Sequence, residues 1–407
     1  MRSARAVWLL AVVPFLAAAA DGEKVGPPDL FTFASGALPL AFGVTGQATP
    51  IGFEQALDLI DGNTVKASVL TQAAPDAGAW FLYELPAPTT FTRLAVPEVH
   101  ETPSAFQTFF REVVVAGSSV GPDAGFEVLG RATLSAHGKK GLETSLTLTP
   151  EQPAVRWVRV ELSGGLDVRE AKSTFHFSEL VGEGTQAEAP RAEGFNGGYR
   201  LKNDSLDLQQ DGPVVTGCFD GEGTLHGTVS GPMLRARGVA TRTKVVSLWV
   251  LQRTVAGVLR GVRSTNGAPF RVVELSSATL GPKEKCPAPP AKKVSCGAVL
   301  HGVRFGYDTA KVLPDSEPLL ERLAAGLRDD GSPKAIIEGH TSSEGAEQYN
   351  LELSRRRAEA VVAELVKRGL DAKQLTAVGR GEATPLASNA DEVGRSLNRR
   401  VEVRCER

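Results

Sequence analysis

The sequence predicts a multidomain protein: two all-β domains followed by a C-terminal α/β sandwich. Three observations carry this reading. Residues 49–183 alternate short β-branched or aromatic runs with Gly, Pro and Asp turn signals. Residues 194–281 repeat tight hairpins punctuated by glycine, the pattern of an antiparallel meander. From Cys296 the period changes, and strand-like runs interleave with helical ones. At 407 residues the chain has room for several domains of ordinary size.

The elements follow in chain order. Residues 1–20 read as a signal peptide: Arg2 and Arg5, then AVWLLAVVPFLAAAA, with Ala18 and Ala20 as the small-residue cleavage pattern. The apolar run is about 15 residues, shorter than the roughly 20 that cross a bilayer. No cysteine follows it and no other segment reaches spanning length, so the expected mature chain is exported and carries no transmembrane segment. Residues 21–48, rich in Gly, Pro and Ala, read as a leader. The runs FTRLAVPEV, REVVVAGSS, GFEVLGRATL, TSLTLTP and VRWVRVEL make 49–183 a β-sandwich. GTQAEAPRAE at 184–193 is a seam. Residues 194–281 form a meander closed into a small barrel or sandwich, without a titratable cluster, and read as scaffold. Residues 282–295 are a stiff Pro/Lys linker.

In 296–407, GAVLHGVRF reads as a strand. Asp315 or Ser316 caps a helix carrying Leu319, Leu320, Leu323 and Leu327 at helical spacing. KAIIEGH is a short buried strand. Gln348 to Arg368 is a helix with Val361, Val362, Leu365 and Val366 on its apolar side and Gly369 as its stop. QLTAVGR and RRVEVR complete a βαβαββ order.

Composition narrows the function. Basic residues number 45 and acidic ones 47, so non-specific electrostatic binding to nucleic acid is not expected. Aromatics are 6%, which argues against a membrane β-barrel with its aromatic girdles. Export permits disulfides. Cys296 and Cys405 bracket the last segment and form the first expected pair, leaving Cys218 with Cys286, although four cysteines allow three connectivities. No Cys or His falls at metal-ligand spacing, so no metal or other cofactor is expected. HExxH and Walker patterns are absent from the sequence, so no enzyme is expected.

The chemistry concentrates in three strings: YDTAKV at 307–312, GHTSSEGAEQYNLELSRRRA at 339–358 and GRSLNRRVEV at 394–403. The strand KAIIE delivers Thr341 and Ser342 to its C-terminal end, where open α/β sheets place ligands. Asn350, Ser354 and Arg357 are four and then three apart and share one helix face. An arginine there can take a carboxylate in a bidentate fork. His340 reads as structural, Arg355 and Arg356 as a solvated face, and Asn398 as a cap at the start of the last strand. Arg399 and Arg400 fall on alternate faces of that strand.

Together these strings resemble the OmpA-like peptidoglycan-binding domain over residues 297–405. The resemblance implies that Arg357 grips the diaminopimelate carboxylate of a peptidoglycan stem peptide. It puts Asp308 and Thr309 across the pocket, has Thr341 and Asn350 orient the peptide, and places Arg399 or Arg400 at the rim. One residue departs from the pattern. The family has Asp after GHT, pairing with the diaminopimelate ammonium; here Ser342 stands there and cannot neutralise a charge. Glu344, two residues on, is the candidate substitute.

In the front region, ALDLIDGNT, WFLYEL, VAGSSVGPDAGFEVLG and VRWVRVEL are similar to a discoidin-like, galactose-binding jelly roll over residues 50–183. That resemblance implies a glycan or other surface ligand at loops such as 100–108. Asp61 and Asn63 read either as oxygen ligands for Ca²⁺ or as a turn. The expected protein is a non-catalytic component of the periplasm or outer membrane that holds the wall through its C-terminal domain. Its β modules face a glycan or an envelope protein. The alternative is a secreted adhesin whose front jelly roll carries the activity, with the C-terminal domain as an anchor.

Overall fold

The computed structural model describes residues 27–406 apart from 75, 100–106, 136–141, 166–172, 203, 287–292 and 332. The expected signal peptide lies outside these residues, as do most of the 100–108 loop and part of the Pro/Lys linker. β-Sheet dominates the chain, with an α/β region at the C-terminus.

The front body is an eight-stranded sheet and a three-stranded sheet. Its longest strand, Gly78–Pro97, runs through WFLYEL and most of FTRLAVPEV without a break. Val155–Ser163 pairs with it and with Glu112–Ser118, setting Val160 opposite both Phe81 and Val115. Side chains one residue apart point to opposite faces, so Phe81, Tyr83, Val113, Val115, Val158 and Val160 share the core with Phe175 and Phe177. A short helix, α1 (Phe53–Asp58), closes one end; the Tyr83 hydroxyl donates to Ala56 O at 2.9 Å. One boundary is corrected. The stretch read as a leader supplies the sheet's first strand, Leu38–Thr45, antiparallel to Gly78–Pro97. Its Gly, Pro and Ala content hid a strand whose partner lies about 40 residues downstream in sequence.

The second body closes. Eight strands between Gly197 and Ser277 form a barrel, sealed where Tyr199 pairs with Ser277. The two sequence options therefore resolve to a barrel. Asp220–Gly221 and Asn266–Gly267 have positive φ at both positions, and each turn is closed by a backbone bond, Glu222 N to Phe219 O and Ala268 N to Thr265 O. Trp249, Leu225, Leu234 and Leu251 fill the interior. Cys218 and Cys286 are bonded, tying the following segment to the barrel wall.

The C-terminal sheet has the order Val299–Leu300, Val401–Cys405, Ala335–Gly339, Leu375–Gly379. Helices α2 (Glu317–Asp329) and α3 (Glu347–Lys367) pack on it through Leu320, Leu323, Leu327, Val361 and Leu365. Cys296 and Cys405 are bonded. Three details differ from the sequence reading. GAVLHGVRF joins the sheet only at Val299–Leu300, because beyond them the chain turns to meet Ser316, whose Oγ accepts from Arg304 N. A third helix, α4 (Glu392–Asn398), stands between the last two strands, capped by Asp391; seven residues are too few for a visible helical period. The last strand therefore starts at Val401, and Arg399 is the C-cap of α4 rather than a strand residue.

The bodies are not strung apart. Val393 and Leu397 of α4 lie in one continuous core with Leu59 and Ile60 of the front body and Met233, Leu248 and Val250 of the barrel.

Candidate ligand-binding site

Two glycines seat α3. A Cβ on Gly339 would meet Ser354 O at 2.2 Å, and one on Gly379 would meet Leu351 O at 2.6 Å. Helix backbone thus rests directly on sheet backbone. Ser354 Oγ accepts from Gly381 N at 2.9 Å, and Asn350 Nδ2 donates to Glu382 Oε2 at 2.6 Å. Both side chains are spent holding the 381–382 turn against the helix. Thr341 N donates to Gly381 O at 2.9 Å; its hydroxyl is buried with no hydrogen-bond partner among the described residues.

One turn further along α3, Arg357 is half-buried. Its Nε donates to Thr309 O at 3.2 Å, and the guanidinium lies 5.1 Å over the Phe305 ring. Among the described residues no carboxylate stands within ion-pair distance of it. Burial pushes its pKa down to about 10, helped by Arg399 and opposed by Asp308. The hairpin closed by the Phe305–Val312 bridge delivers Asp308 and Thr309 to the helix. Asp308 takes a left-handed φ of 50° and accepts from the Tyr349 hydroxyl.

Ser342 Oγ donates to Glu344 Oε2 at 2.9 Å. Glu344 also meets Arg399 at 3.2 Å and Arg395 at 3.6 Å. Glu344 thus places a carboxylate within hydrogen-bond distance of Ser342 Oγ.

Arg400 points elsewhere. It is 6% exposed, and its donors go to Glu402 Oε1, Asn398 O and Thr384 O. Asn398 holds the 386–389 loop: its Oδ1 accepts from Leu386 N and Ala387 N. His340 shares a 3.2 Å contact with Thr384 Oγ1, and burial beside Arg400 pushes it down to about 4, so the ring is neutral. Glu338, His340 and Glu402 lie close enough to share a cation. However, Glu338 is already paired with Arg380 and Arg404, and Glu402 with Arg400. A divalent ion would have to displace guanidinium groups already making charge-assisted bonds.

The fold thus gathers Asp308, Thr309 and Arg357, sets Thr341 and Ser342 after the adjoining strand end with Asn350 on α3 tied to Glu382, and turns Arg400 inward. Sequence reading did not assign Phe305, Tyr349 or Glu382 to the site. Tyr349 stands beside Asn350 and is legible as a neighbour; Phe305 and Glu382 carry no local signal.

A family model described as the OmpA family matches residues 304–399. Outer membrane protein A of Bordetella avium is 41% identical over 122 residues, covering 30% of this chain and 61% of that protein. Peptidoglycan-binding protein ArfA of Mycobacterium bovis is 37% identical over 124 residues, covering 29% of this chain and 38% of that protein. The crystal structure of the peptidoglycan-associated lipoprotein from Burkholderia pseudomallei shares 33% identity over 26% of this chain and 88% of its own, with a TM-score of 0.24. The chain spans less than two thirds of these curated relatives.

Proposed function

Residues 304–399 form an OmpA-family domain, and from that premise we propose that the chain binds peptidoglycan non-covalently through it. The observation that carries this reading is Arg357: a half-buried cation with no acid partner among the described residues, beside Asp308 and Thr309. An unpaired guanidinium in a partly desolvated setting is stabilised by an incoming carboxylate, which it can take in two parallel bonds. The diaminopimelate carboxylate of a stem peptide is that group. Its ammonium goes to Asp308 and Glu344, the latter standing in for the acid absent at Ser342. Thr341 offers its free hydroxyl to the peptide, Asn350 fixes the turn behind it, and Arg399 forms the rim. Arg400 supports the strand end from beneath.

On this reading the protein is a non-catalytic component of the outer membrane or periplasm. The front sandwich, with its discoidin-like motifs, and the barrel are held at the wall to meet a glycan or an envelope protein. The domain divisions at 49–183, 194–281 and 296–407 remain part of this proposal, with the first extended back to Leu38. Co-sedimentation of the mature chain with purified sacculi tests it. Wild-type protein pellets and Arg357→Ala stays in solution. Equal pelleting of both, with unchanged circular-dichroism melts, overturns the assignment.

A further inference from the structure

Where the three bodies meet they line a half-open cavity of about 490 Å³, separate from the Arg357 site. Leu30 and Ser35 reach it from the front body, Met233 and Arg235 from the barrel, and Arg304 and Leu313 from the C-terminal region. Its charge is unbalanced. Arg235 Nε donates to Ser396 Oγ at 3.2 Å and Nη2 to Ala34 O at 2.8 Å. Among the described residues Nη1 makes no hydrogen bond and no carboxylate lies within ion-pair distance of this guanidinium. Arg304 has its own acid, Asp315, at 2.9 Å. Glu188, exposed at the margin, is the acid among the lining residues.

The surroundings are electropositive. Burial brings Arg235 down to about 10, and both Arg399 and Arg304 add to the effect while Glu392 opposes it. His301 is buried with neither ring nitrogen bonded, and burial together with Arg235 and Arg400 holds it neutral. Arg235 is half-buried, and a partly desolvated guanidinium without a counter-ion favours an anion that replaces the lost solvation. The remaining walls are apolar, from Leu30, Met233 and Leu313.

We propose that this junction cavity binds a small organic anion, a carboxylate or phosphate monoester bearing a short apolar group, with Arg235 as its charge partner. Nη1 of Arg235 takes one anionic oxygen, and the apolar part lies against Leu30 and Met233. Because the ligand touches all three bodies, it stabilises their assembled arrangement by mass action.

The test uses the full mature chain, with calorimetry and thermal melts against inorganic phosphate, butyl phosphate and hexanoate. Saturable binding with a rise in melting temperature is expected for butyl phosphate or hexanoate, more tightly than for phosphate. Which of the two binds separates the phosphate from the carboxylate source. Arg235→Gln lowers affinity at least tenfold. Since that change also removes a bond to α4, Ala187→Trp provides a second variant, filling the cavity from its exposed edge while leaving Arg235 in place. It too loses binding at least tenfold, and both variants still pellet with sacculi. Absence of saturable binding by all three probes at millimolar concentration, or unchanged affinity in both variants, overturns the proposal.

Discussion

Helices α3 and α4 both carry arginine-rich strings, SRRRA on one and GRSLNRR on the other. On α3, Arg357 rests on Phe305, and among the described residues no carboxylate stands within ion-pair distance of it. Around α4, Arg395 and Arg399 close on Glu392, and Arg395 Nη2 also reaches Gly62 O in the front body. Burial raises the Glu392 pKa, but Arg399 and Arg395 more than offset this and hold the carboxyl below its ordinary value. The same side-chain chemistry is thus left without an ion pair on one helix and serves as a fastening on the other. What separates the two is the acid each meets after folding.

The largest test of this contrast is Leu397→Ala. Leu397 is fully buried among residues of all three bodies, and its truncation costs about 2–5 kcal/mol, read by chemical denaturation. A loss well below that range would mean α4 does not fasten the bodies. Glu392→Gln comes next. It leaves Arg395 and Arg399 short of an acid at a mostly buried position, at a cost of about 3 kcal/mol. A variant as stable as wild type would break the contrast from the α4 side.

Arg357→Ala probes the other helix. It forfeits about 0.5–1 kcal/mol of cation–π contact, so the melt barely moves. Wall affinity falls roughly ten- to a hundredfold, the worth of about 1.5–3 kcal/mol for a charged hydrogen bond. A large stability loss with intact binding would reverse the roles of the two helices.

A pH series sharpens the picture of the junction that α4 grips. Burial raises Asp29 to about 7 and Asp61 to about 6, and pushes Glu179 up as well. Glu183, Glu392, Asp58 and Lys66 face these groups, and Asp61 O accepts from Glu392 N at 2.9 Å. Folding favours their neutral forms. The stability they contribute is therefore complete below the ordinary carboxyl range and is lost as pH climbs through about 6 and 7. Melting temperature should fall between pH 5 and pH 8; a flat or rising profile would contradict this. The smallest effect belongs to Ser342→Asp. The new carboxylate would sit beside Glu344, and like charges that close resist joint ionisation. Wall affinity gains only about twofold to threefold, measured by sacculus titration, the residual worth of a charged bond after that repulsion. A gain of tenfold or more would show that Glu344 does not supply the missing charge.

Much of the C-terminal site was legible in advance because its signals are local. The GHT string marks a strand end, and the spacing from Asn350 to Arg357 marks one helix face. Asn350 and Ser354 were read on the ligand side of that face, yet they fasten the 381–382 turn, because Gly339 and Gly379 bring the helix into backbone contact with the sheet. Arg399 and Arg400 read locally as strand neighbours, because a seven-residue helix with two buried apolar side chains leaves too little periodicity to read.

By itself the sequence determined the β-rich front, the hairpin turns of the barrel and the α/β pattern of the last quarter, and it favoured Cys296 with Cys405 while leaving the connectivity open. Each depends on residue type over short windows or on simple bracketing. Tertiary structure alone decided that Leu38–Thr45 joins the front sheet, that the barrel closes, and that Arg357 stays open while Arg400 turns inward. It also brought Arg395 to Gly62, 333 residues apart in the chain. Burial and ion pairing depend on which distant segments meet, and no local window records that meeting.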